Sequence, residues 1–278
     1  MRLPRLVLAR LFAHGPVVMA ALCITLSGNA EPSLLDLGYG QMYNLQFEEA
    51  HRSFARWQAL RPEDALGPAS DAAAYLFSEF DRLHILQSEF FTHDDHFITD
   101  RRLAPDPVLK RNFEAALATA GVLAARTPQD PNARFAAVLC HGLRSDYLAL
   151  IDKRYKSSFS EMKSARTIAE QLLLSSPDYY DAWLAIGMEN YMLGVKPLVV
   201  RWILRWQGAQ TDRAAGLARL RLTAERGRYL APLARLMLAV AALRDHDTNR
   251  ARELLAGLSR EFPGNPLYGQ ELARLVSR

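Results

Sequence analysis

The stretch EEAHRSFARWQALRPED, residues 48–64, decides how this chain is read. Ala50 is followed by Phe54, Trp57 and Pro62, at offsets of 4, 7 and 12. Offsets of 4 and 7 lie one and two turns along a helix, so these side chains share a stripe. The small alanine admits a neighbouring helix closely, and the proline stops the helix. The same spacing recurs in Ala116, Ala120, Leu123, Pro128; in Ala165, Ala169, Leu172, Pro177; and in Ala251, Leu255, Leu258, Pro263. A new apolar segment starts within a few residues of each proline: DALGPASDAAAYLF, DPNARFAAVLCHGL, DYYDAWLAIGMENY and NPLYGQELARLV. Recurrence of one helix–stop–helix pattern predicts an array of repeats. Val/Ile/Thr-rich alternating runs are nearly absent, so the expected class is all-α.

The preceding helices complete the unit. Trp183, Ile186, Gly187 and Asn190 sit where a tetratricopeptide repeat of about 34 residues carries its Trp, Leu, Gly and Tyr. Leu34, Leu37, Gly38 and Gln41 take those places in the first unit. On these residues the chain resembles the tetratricopeptide-repeat (TPR) family over essentially all of 31–278. Asn190 and Gln41 depart from its aromatic position. The resemblance implies a right-handed α-solenoid of about five helix pairs with a terminal helix. The units near 31–64 and 232–265 fit without gaps; the middle ones need insertions, at about 88–110, 144–158 and 194–210. The YNLQFEEAHRSF start, the long second-unit loop, the Gly194-x-Lys196-Pro197 insertion and the AERGRY helix end resemble a group of exported bacterial repeat proteins. More distantly, the chain looks like the eukaryotic tetratricopeptide-39 type. Those resemblances imply an interaction scaffold and supply no active site.

Residues 1–30 stand apart. Arg2, Arg5 and Arg10 precede an apolar stretch, VVMAALCITL at 17–26, and then SGNA. This is the pattern of a secretory signal, with cleavage expected after Ala30 and a periplasmic or envelope location. An uncleaved anchor is the alternative, although the stretch falls short of the roughly twenty residues of a membrane span. The chain has 34 basic and 30 acidic residues. Three of the basic ones leave with the signal, so the basicity is largely a targeting feature and nucleic-acid binding loses its support. Cys140 alone would remain, which excludes an intramolecular disulfide.

The first helices of such an array line its concave groove. The positions expected there include Tyr39, Met42, Leu184, Met188, Tyr191, Leu236 and Val240. A groove this apolar calls for a cover, either a partner's segment or the chain's own insertions. In NYMLGVKPLVVRWILRWQG, 190–208, Leu198, Trp202 and Trp206 form a stripe, with Arg201 and Arg205 on another face. The expectation is an amphipathic insertion helix packed by its tryptophan face on the groove or its rim. Docking of a partner and contact with a membrane surface are the alternatives. Residues 31–100 hold 4 basic and 13 acidic residues, whereas 194–235 hold 9 and 2, a bipolar distribution suited to steering a partner.

Chemistry has one candidate, THDDHFITDRR at 92–102. His93, Asp94, Asp95, His96 and Asp100 could ligate a metal, but a solvated loop explains them without one. Cys140 and His141 are adjacent, so on a helix they point apart, which does not suit a nucleophile pair. No phosphate loop, nucleophile elbow or HExxH helix is present. The expected function is therefore non-catalytic and cofactor-free: a protein–protein interaction scaffold that binds a protein or peptide segment in an apolar groove. The alternatives are an accessory or assembly subunit of an envelope complex and a metal-dependent hydrolase using His93 and His96.

Overall fold

The computed structural model describes residues 33–86 and 103–276. These residues are all-helical, with no strand among them, and lie in one compact unit, Pro32–Arg278. The helices are α1 (Leu34–Tyr43), α2 (Phe47–Leu60), α3 (Leu66–Arg82), α4 (Pro107–Arg126), α5 (Pro131–Leu150) and α6 (Tyr155–Ser175). A 3-10 turn, Tyr180–Ala182, leads into α7 (Trp183–Gly194), α8 (Leu198–Trp206), α9 (Arg213–Arg226), α10 (Ala231–Arg244), α11 (Thr248–Glu261) and α12 (Pro266–Val276).

Local chemistry sets the helix ends. Ser33 and Asp36 form a reciprocal capping box at the start of α1. Asp106 and Asp130 cap α4 and α5, each followed by proline at the first helical position. Asp106 starts α4 at Pro107, so the insertion expected over 88–110 ends earlier than its sequence suggests. The four repeated prolines each lie two residues past a helix end: Leu60, Arg126, Ser175 and Glu261. The residues between, Arg61, Thr127, Ser176 and Phe262, share φ of −137°, −128°, −142° and −123°. The ring of a following proline excludes the helical region for them.

Helices pair in order: α1 with α2, α3 with α4, α5 with α6, α7 with α9, and α10 with α11, with α12 packed on α11. The repeated stripe is what these pairs bury. Ala50, Phe54, Ala120, Ala165, Ala169, Leu172, Ala251, Leu255 and Leu258 are almost fully enclosed. In the fourth pair Gly216, Leu220 and Thr223 take the same places. A β-carbon on Gly216 would lie 2.5 Å from the backbone nitrogen of Tyr191, so α7 and α9 cross in backbone contact. Gly38 plays the same part in the first pair, where a β-carbon would meet the Phe54 ring.

The two ends of the array meet. Tyr39 of α1 stacks on Tyr229, before α10, with ring centroids 4.9 Å apart. The Tyr43 hydroxyl donates to the Tyr229 carbonyl at 3.0 Å. Gly264 N–H donates to the Asn44 side chain, and Asn265 Nδ2 to the Tyr43 carbonyl. Tyr39 and Tyr43 thus pack against the returning end of the chain, and no residue of the 194–210 insertion lines the inner cavity, which corrects the expectation for that segment. The insertion at 144–158 resolves into a longer α5, a turn at 151–154 and the start of α6.

Candidate functional site

The inner positions of the first helices converge on one apolar cavity of about 230 Å³. Tyr39, Met42, Leu184, Met188 and Leu236 line it, as their spacing predicts. Val240 instead lines a smaller adjoining hollow with Met42, Tyr43 and Leu236. Tyr191 lines neither; it is fully enclosed, with the Arg213 guanidinium 5.8 Å from its ring centre. The groove reading missed Phe77 and Phe80 of α3, and also Met162, Met192 and Met237. The signal that could have found the two phenylalanines is the periodicity of AYLFSEF, once its helix is counted among the inner ones.

The cavity wall carries two aspartates, Asp181, whose carboxylate accepts from the backbone N–H of Arg228, Tyr229 and Leu230, and Asp146 of α5. The Asp146 side chain is solvent-exposed at its edge, although protein crowds around the carboxyl. Burial pushes it up to about 7. It has no hydrogen-bond or ionic partner among the described residues. Gly142, one turn before it, lines the same wall, and a β-carbon there would meet nothing within 4 Å.

The second feature is α8. All nine of its residues escape burial. Leu198 and Val199 are 74% and 71% exposed, Trp202 and Trp206 61% and 78%. The expectation that the tryptophan face packs on the body is overturned: that face points outward. The two tryptophans touch each other, with ring centroids 5.3 Å apart. The arginines point back toward the body, Arg205 Nε donating to Thr211 Oγ1 at 2.7 Å and Arg201 Nη1 reaching the Gly194 carbonyl at 3.5 Å.

A polar network orients this segment, and sequence reasoning missed it. Glu189 is fully enclosed; it accepts from Arg166 Nε at 2.8 Å and from the backbone of Gln210 at 3.0 Å. Gln210 Nε2 donates to Glu170, which also pairs with Arg166. Asn190 donates to Gln210 and accepts from the Asp212 backbone. Asn190 stands where the repeat pattern expects an aromatic residue, and the anchoring of the 207–212 return explains the departure. Burial raises the Glu189 carboxyl despite these donors.

His93, Asp94, Asp95, His96 and Asp100 lie outside the described residues. No group of three or more potential metal ligands occurs among the described ones. Burial pushes the Cys140 thiol up to about 12, and the adjacent His141 turns to Glu161 at 2.6 Å. That leaves no nucleophile–base contact between the pair. No described helix is long and apolar enough to cross a membrane. No family model, curated protein or solved structure matches the chain.

Proposed function

We propose that the chain is a right-handed α-solenoid of five tetratricopeptide-like helix pairs, acting as a non-catalytic scaffold at the bacterial cell envelope. The sequential pairing of helices and the buried Ala–turn–turn stripe support the architecture. The charged and apolar start of the chain supports export. The observation that carries the function is the convergence of side chains from five helix pairs on one methionine- and leucine-rich cavity. At about 230 Å³ it exceeds the ~150 Å³ apolar cavity that takes up a benzene ring. It suits the apolar anchor of a partner's segment, with flexible methionines shaping themselves to it.

The test is photo-crosslinking from position 149, on the cavity wall, in the native envelope, with and without Gly142→Leu. Gly142 lines the cavity and a β-carbon there meets no clash, so the leucine is expected to take up part of the cavity volume. Crosslinks to a defined peptide in the unaltered cavity, lost in a Gly142→Leu protein that melts normally, are the expected result. Crosslinks indifferent to the substitution would refute the reading.

A further inference from the structure

We propose that α8 docks the protein on an anionic phospholipid surface. The inference is independent of what the cavity binds. It rests on the direction in which α8 faces, on what flanks it and on how it is held.

The exposed face is made of Leu198, Val199, Trp202, Ile203 and Trp206. Its only hydrogen-bonding groups are the two indole N–H. A protein partner normally supplies about one hydrogen bond per 100–200 Å² of interface, which this face cannot match. A lipid boundary asks for none, and takes up indole rings at headgroup level. Size points the same way. Nine helical residues span about 14 Å, too little for the roughly 800 Å² per partner of a stable dimer. An interfacial helix need only sink about 5–10 Å into the boundary.

The surrounding charge is complementary to an anionic surface. From Asn190 to Thr211 there is no aspartate or glutamate, while Lys196, Arg201 and Arg205 supply three positive charges. None of the three is ion-paired among the described residues. Leu198, Trp202, Arg201 and Arg205 border an open surface hollow of about 390 Å³, where a headgroup phosphate would meet both arginines. The polar anchors at 207–212, together with Lys163 Nζ donating to the Gln207 carbonyl at 2.9 Å, fix α8 with its apolar face turned away from the body. An apolar helix held outward by buried ion pairs is presented, not merely left uncovered.

The experiment uses the full chain and two kinds of vesicle, phosphatidylglycerol with phosphatidylethanolamine, and phosphatidylcholine alone. Binding is read by flotation, and insertion by quenching of tryptophan fluorescence with lipids brominated along their chains. The N-terminal stretch is common to every protein compared, so the reading lies in the differences. Trp202→Ser with Trp206→Ser is expected to abolish the quenching and to lower binding to anionic vesicles at least ten-fold. Arg201→Gln with Arg205→Gln is expected to lower anionic binding several-fold and to flatten its salt dependence. Both pairs lie on an exposed helix, and thermal melting verifies that the fold persists. Vesicle binding unchanged in the tryptophan variant, or a wild type whose tryptophans escape quenching, overturns the proposal. So does a dimer in light scattering that dissolves in the tryptophan variant without any lipid quenching, which would make a second copy the occupant. Gly142→Leu should leave quenching intact, so failure of the cavity reading remains separable from failure of this one.

Discussion

Arg228 grips both carboxylate oxygens of Asp36, Nη2 to Oδ2 at 2.6 Å and Nε to Oδ1 at 2.8 Å, across 192 positions of sequence. This fork joins the first helix to the turn before α10. Asp181 holds that turn from behind, accepting from the backbone N–H of Arg228, Tyr229 and Leu230. Burial alone would raise the Asp36 carboxyl, but hydrogen bonds from Arg228 and Ser33 outweigh it and hold it below its ordinary value. A depressed carboxyl contributes stability above its unfolded pKa and loses it as pH falls through the folded value. Arg228→Ala should therefore cost about 1 kcal/mol at pH 7, the upper range for a partly exposed pair, and less at pH 3, below the ordinary carboxylate value. Thermal melts at the two pH values check this.

Asp146 predicts the opposite dependence. A carboxyl raised in the fold holds its proton more tightly than in the unfolded chain. Its contribution is most favourable below the ordinary value of 3.8 and declines as pH rises through about 7. Asp146→Asn removes the decline. The variant should melt above wild type at pH 8 and together with it near pH 4; coincidence at both would show that Asp146 is not held in the cavity wall.

Arg166→Ala leaves the fully enclosed Glu189 without its cation. Breaking a buried pair from one side costs about 3–5 kcal/mol. Because Glu189 also holds Gln210, hydrogen exchange should accelerate first at residues 207–212. Uniform acceleration throughout the chain would mean that the network does not anchor this segment in particular.

Gly38 and Gly216 should respond unequally to alanine. At Gly38 the obstacle is the Phe54 side chain, which can shift, at about 1–3 kcal/mol for an overpacked site. At Gly216 the obstacles are the Tyr191 nitrogen and the Gly187 carbonyl, and backbone cannot rotate away. Gly216→Ala should be the more destabilising by denaturant melts, and Gly216→Ala no worse than Gly38→Ala would argue against the backbone crossing of α7 and α9.

Much of the helical organisation was legible because its signals are local. Ala50 with Phe54, or Ala251 with Leu255 and Leu258, announce a buried stripe within two turns of one helix. Pro62, Pro128, Pro177 and Pro263 announce its end through sterics confined to the preceding residue. Asp106 before Pro107 is an equally local cap that the reading of 88–110 as loop passed over. The inner face was legible in part: five of the seven expected groove residues share one cavity, since their helical register follows from the same spacing.

The sequence by itself determined where the helices lie, which of their faces seek burial, and that 195–208 interrupts the pattern as a short amphipathic helix. Tertiary structure alone decided that the ends of the array meet, because the approach of Asp36 to Arg228 accumulates from the packing angle of every intervening pair. It alone also decided that Trp202 and Trp206 face outward. Amphipathicity says which side of a helix is apolar. The direction of that side depends on what holds the ends of the helix, and here Glu189, Arg166 and Gln210 do so through hydrogen bonds from three separate segments of the chain.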